Sequence, residues 1–220
     1  MKHILSKTIS LIIIVTLVVI GIFYSRLPTL LSDKISQALQ VFVSVKDVSL
    51  RPSTIAISDL TIGNVSPGIL PKAFSAKTID FSAPLTNYIN NPINIDTITI
   101  DDIYLGLEFD SPTSTTGNWA TLFQPLTSKK NSSPNAKTSV FIKTLVLTNI
   151  QVELVYRNNP GNIKKLPPID KIILTDINTE EGMPMEQIMH SVLGQMLKSV
   201  FIKENIKNTL DDLLSPHSEV

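Results

Sequence analysis

Residues 93–102, INIDTITIDD, carry their apolar side chains at positions 93, 95, 98 and 100. The spacing is two, then three, then two. A half-buried strand needs an unbroken period of two, because a slip of one residue turns every later side chain to the opposite face. The same broken period recurs in three other segments. TIAISDLTIGN carries Ile55, Ile57, Leu60 and Ile62; FSAKTIDF carries Phe74, Ala76, Ile79 and Phe81; VFIKTLVLTN carries Val140, Ile142, Leu145 and Leu147. A one-residue bulge at each skip restores the face and adds twist. A sharp corner between two short strands does the same. In both cases all the apolar positions project to one side. The expectation is an α+β chain: a curved, one-sided, mainly antiparallel sheet of bulged strands, with helices at its two ends.

Two of these segments run on after a further skip, into Ile103, Leu105, Leu107 and Phe109, and into Ile150, Val152, Leu154 and Tyr156. The second meets RNNPGN, residues 157–162, whose Asn, Pro and Gly residues predict a hairpin. Between the long runs lie polar stretches at 111–117 and 127–139, expected to be mobile loops. They flank NWATLFQPL. There Asn118 is placed to cap a helical turn that presents Trp119, Leu122 and Phe123 inward.

The chain ends break the strand pattern. Lys2, His3 and Lys7 precede an uncharged run, and a helix from Ile4 to Tyr24 would measure about 31 Å, enough to cross a hydrocarbon core. A cleaved leader would need small residues after the run, where Ile22, Phe23 and Tyr24 stand. Residues 1–26 are therefore expected to be a single-pass anchor with the N-terminus inside. Residues 27–40 follow as a short connecting helix, with Leu27, Leu30, Leu31, Ile35, Ala38 and Leu39 on one side. The β-rich domain spans 41–178, and 179–220 form a C-terminal segment. From Pro184 to Leu214 an apolar stripe at helical spacing predicts a long amphipathic helix packed on the sheet. Met189 and Met196 lie in its first half, as core filler or as the wall of a site for flexible apolar chains.

Chemistry is not written in this chain. Nineteen basic and nineteen acidic residues give no basic excess, which argues against nucleic acid as a partner. There is no cysteine, so thiolate chemistry and Cys-ligated metals are excluded. Asp101–Asp102 and Asp211–Asp212 are adjacent pairs whose carboxyls diverge. No histidine has a second ligand at helical spacing. The expectation is no enzyme, no metal and no cofactor.

The order of VSLRPSTIAISDLTIGNVSPGI, KAFSAKTIDFSAPL, INIDTITIDDIYLGLEF and GNWATL, after an N-terminal apolar run, resembles the AsmA-like family of bacterial envelope proteins. The cues are an I-x-I-x-x-L-x-I-x-N segment with a following Gly, an AF-x-A strand start, and an N-W pair ahead of a second block; they cover about residues 41–156. The resemblance implies an inner-membrane protein with a periplasmic β-groove, involved in lipid movement or outer-membrane biogenesis. The groove residues would be Ile55, Ile57, Leu60, Ile62, Ile79, Phe81, Ile98, Ile100, Leu145 and Leu147, joined by Met189 and Met196. Phospholipid acyl chains and an envelope protein would be the partners. The alternative is a structural or partner-binding module whose sheet is closed by the C-terminal helix and takes no lipid.

Overall fold

The computed structural model describes residues 24–112, 114, 116–128, 139–178, 194 and 197–199. The chain is mixed α+β, built on a strongly curled, mainly antiparallel half-barrel. A helix over residues 24–39, α1, leads into β1 (Val43–Ser44), β2 (Asp47–Arg51), β3 (Thr54–Gly63) and β4 (Lys72–Ser82). A 3-10 turn at Leu85–Ile89 precedes β5 (Ile93–Phe109), and α2 (Asn118–Ser128) separates it from β6 (Val140–Tyr156). β7 (Asn159–Lys165) and β8 (Ile169–Asn178) follow. The eight strands form one sheet in the order β1-β3-β4-β5-β6-β7, with β2 also on β3 and β8 also on β6. The hairpin after Tyr156 is present, with Arg157–Asn158 as its turn.

Two features differ from a simple meander. The longest strands, β5 and β6, run parallel, from Ile93 beside Val140 to Phe109 beside Tyr156. A parallel neighbour needs a crossover connection, and α2 lies within it. The skips, moreover, are not bulges. Ser58 pairs Thr78 and Leu60 pairs Ala76; Thr78 pairs Asp101 and Ala76 pairs Ile103. Ile100 lies beside Leu147 and Ile103 beside Ile150; Thr148 pairs Lys171 and Ile150 pairs Ile169. Register is therefore unchanged across every one of these skips. A bulge sets two residues against one. Here each extra residue meets an extra residue, so Asp59, Lys77, Asp102, Asn149 and Asp170 form one row across the sheet. Asp59, Asp102 and Asn149 have φ of 50°, 54° and 53°, a region that Asp and Asn tolerate better than most side chains. The row is a shared corner. A second and shorter row, Asp96, Lys143 and Asp176, repeats it, with Asp176 at φ 56°.

The corners do keep the apolar side chains together. Ile57, Leu60, Ile79, Ile98, Ile100, Ile103, Leu145, Leu147 and Ile150 are all buried and belong to one core. Each such side chain contributes about 1.5–3 kcal/mol on burial. α2 adds Trp119, Leu122, Phe123 and Leu126 to the core, while Leu27, Leu31, Ile35 and Ala38 of α1 pack against it. Leu30 does not join its expected neighbours and is 48% exposed.

α1 is more than a connector. The Ser36 hydroxyl accepts the Val43 N–H at 3.0 Å, Ser32 accepts that of Val45 at 2.9 Å, and the Tyr24 hydroxyl accepts that of Leu50 at 2.7 Å. An edge strand otherwise offers these donors to any passing chain. The helix covers that edge.

No helix among the described residues is long and apolar enough to cross a membrane. The anchor expected at 1–26 lies outside the described residues apart from 24–26, which are the first residues of α1 and continue unbroken into it. Of the helix expected over 184–214, Gly194 and 197–199 are described and helical; no long C-terminal helix is among the described residues.

Candidate functional site

The ten β residues expected to line a groove all belong to the core or pack on it. Ile57, Leu60, Ile62, Ile79, Ile98, Ile100, Leu145 and Leu147 are buried, and Ile55 and Phe81 are partly buried against them. They form ladders across the sheet: Ile55–Phe81–Ile98–Leu145 and Ile57–Ile79–Ile100–Leu147. Beyond the corner, Leu60 pairs Ala76 and Ile62 pairs Phe74. Met189 and Met196 lie outside the described residues. Leu197 of the C-terminal segment is 2% exposed and belongs to the same core. The inner face is thus continuous and aliphatic, and it is covered rather than open.

A polar cluster that the expected groove did not include sits at one end of the sheet. Glu108, on β5, is wholly buried. Its Oε1 accepts the backbone N–H of Ile69 at 2.7 Å and of Leu70 at 2.6 Å, together with the Asn64 amide. Its Oε2 has no hydrogen-bond partner among the described residues and lies 3.6 Å from the Nε of Arg157, which also reaches Asp110 at 3.4 Å. Burying a carboxyl is costly unless donors converge on it. The loop after β3 supplies them.

Asn118 completes the cluster, and not as the helix cap expected of it. Its Oδ1 accepts the Glu108 N–H at 3.0 Å, and its Nδ2 donates to Asn64 Oδ1 and to the Gly106 carbonyl, both at 3.0 Å. The Trp119 indole N–H donates to the same carbonyl at 2.9 Å. Buried strand groups outcompete the helix end because water cannot reach them. Gly106 is required by closeness: a Cβ there would lie 2.5 Å from the Lys72 carbonyl oxygen. The cluster ties the β3–β4 loop, the end of β5, the start of α2 and the β6–β7 turn together. It also explains the punctuation of the sequence, since Asn64 and the N-W pair belong to one bonded unit. Glu108 alternates with inward-facing Leu107 and Phe109, so its position reads as solvent-facing. The signal that marks it is the glycine two residues before it.

Of the segment 111–117, expected to be a mobile loop, residues 111, 112, 114, 116 and 117 are described. Asp110 N–H donates to the Thr116 carbonyl at 3.2 Å, and Phe109 bridges Gly117. The stretch 129–138 lies outside the described residues.

The outer face carries a second polar group. The Tyr104 hydroxyl donates to Glu153 at 2.8 Å, Lys165 reaches Glu153 at 3.4 Å, and the Lys72 ammonium stands 4.7 Å from the Tyr104 ring. Burial, then the bond to Glu153, holds the Tyr104 phenol protonated well above its ordinary range. Asp101 is shifted downward, chiefly by the Thr148 hydroxyl donating to it at 2.6 Å, with Asn149 adding a bond at 2.8 Å. No group of three or more His, Cys, Asp or Glu residues able to hold a metal is present among the described residues. No family model, curated protein or solved structure matches the chain.

Proposed function

We propose that this chain is a membrane-anchored periplasmic protein of AsmA-like type whose curled sheet handles lipid near its own membrane, without catalysis. The carrying observation is the inner face itself. Apolar side chains form ladders across four strands, and the shared corner keeps them on one side. Acyl chains match such a surface chemically, since an apolar wall needs no polar group to hold them. In this reading, residues 1–26 cross the inner membrane with the N-terminus in the cytoplasm. The stripe from Pro184 to Leu214, with Met189 and Met196, would add flexible apolar side chains to that surface.

One observation favours a second reading. Leu145 and Leu147 are already fully buried and Ile98 is 5% exposed, as in a finished core. On that reading the chain is a structural or partner-binding module. Native mass spectrometry of the full-length protein after mild extraction distinguishes the two. Phospholipid that co-purifies with the native chain and is lost from an Ile98→Lys variant that remains folded supports lipid handling. Lipid-free protein at every level of detergent supports the second.

A further inference from the structure

The two sides of the sheet are finished differently. α1 covers the β1–β2 edge with three hydroxyls. β8 pairs only with β6, and among the described residues no hydrogen bond is made to its outward edge. Ile173 is 53% exposed, and Ile172 and Leu174 are half-buried, whereas Leu145 and Leu147, one strand further in, are fully buried. A long strand edge that is unpaired among the described residues is an invitation to pair.

We propose that β8 pairs antiparallel with β8 of a second copy, about a two-fold axis at Ile173. The spacing within the strand carries the inference. Inward residues stand at 169, 172, 174 and 177, with skips at 170–171 and 175–176. Centred on Ile173, the antiparallel pairing sets 169 against 177 and 172 against 174 and lays each skip on the other. Inside this sheet, neighbouring strands match skip with skip. The corner residues obey the same rule. Within the sheet each antiparallel junction sets a left-handed corner residue against an ordinary one: Asp59 opposite Lys77, Asp102 opposite Lys77, Asn149 opposite Asp170, Asp176 opposite Lys143. The two-fold pairing sets left-handed Asp176 opposite Asp170. Lys171 of each copy then stands diagonally beside Asp176 of the other, which offsets the facing acids. Pro167 and Pro168, which cannot donate to a ladder, bound the paired window.

Such an interface is isologous and closes on itself. It doubles the sheet and makes the two inner faces one surface. Because the axis stands normal to the sheet, the two N-terminal segments leave at opposite ends of it. This inference does not rest on lipid binding.

The natural chain has no cysteine, so single cysteines report the register. Neighbouring residues in an antiparallel pair have Cα atoms about 4.5–5.5 Å apart, within disulfide range. In the full-length protein, Ile173→Cys is expected to oxidise to a dimer roughly tenfold faster, or more, than Phe42→Cys, an exposed control. Lys171→Cys and Thr175→Cys are each expected not to cross-link alone and to cross-link when mixed. Ile173→Lys, on the exposed face, is expected to give a folded monomer by light scattering. Cross-linking of Ile173→Cys no faster than the control overturns the proposal. So does cross-linking in another register, or to a different protein, or a native mass unchanged by Ile173→Lys.

Discussion

Asp102 and Asn149 stand side by side on the parallel strands β5 and β6, both left-handed, with φ of 54° and 53°. Asn149 Nδ2 donates to the carboxyl of Asp101 at 2.8 Å, so the two corners are also bonded to each other. The bend in the sheet is a joint property of neighbours.

That relationship sets the cost of changing them. Asn149→Val is expected to lower stability by about 1–2 kcal/mol, because a β-branched side chain resists the left-handed region. Asn149→Gly loses the bond to Asp101 but relaxes the backbone, and is expected to stay within about 1 kcal/mol of the native chain. Urea unfolding of the two variants checks the order. A Val variant as stable as the Gly variant would mean that the corner carries no backbone strain.

The Glu108 cluster is expected to be worth more. Glu108→Leu strands the N–H groups of Ile69 and Leu70, which costs about 3 kcal/mol or more in sum. Glu108→Gln keeps an acceptor for both and should lose less than half of that. Hydrogen exchange at Ile69 and Leu70 reads the same event locally, with protection lost in the Leu variant and largely kept in the Gln variant.

Asp101 supplies a dependence on pH. Its folded pKa lies below the unfolded value, mainly through Thr148. The group therefore adds stability above the ordinary carboxylate range, and that contribution is lost as pH falls through the lowered folded pKa. Thr148→Val is expected to be less stable than the native chain at pH 7, with the gap shrinking in that acid window. Unfolding curves for both chains from pH 7 down to about pH 2.5 test it, the range spanning the unperturbed carboxylate value. A gap independent of pH would assign the effect to packing.

The covered edge yields a test of α1. Ser32→Ala and Ser36→Ala each free one edge N–H, at a cost of about 1 kcal/mol apiece. The double variant is further expected to aggregate faster at equal concentration, since two donors of β1 and its extension become available. Light scattering during storage measures this. A double variant no more prone to aggregate than the native chain would show that the helix body alone protects the edge.

The one-sidedness of the sheet was legible in Ile98, Ile100 and their counterparts, because burial and spacing are both properties of a single strand. The choice between bulge and corner was not. It depends on what stands opposite, and no strand states its neighbour's register. The parallel pairing of β5 with β6 was hidden for a related reason, since a one-sided apolar pattern is the same for either direction. Glu108 was missed because alternation places it outward, and only the folded β3–β4 loop brings Ile69 and Leu70 over it. Asn118 was seen, but in the wrong role: a local rule for helix starts yielded to a long-range demand from buried strand backbone. The apolar positions from Ile55 to Leu147 share one buried face, as their spacing states.

The row of corners also ties the lengths of the strands to one another. Deleting Asp102 alone would put Lys77 and Asn149 out of step with β5 on both flanks at once, while a matched deletion along the whole row would only flatten the bend. Length changes in this chain are therefore tolerated collectively or scarcely at all, and the spacing of any one strand constrains the sequence of strands that it never touches.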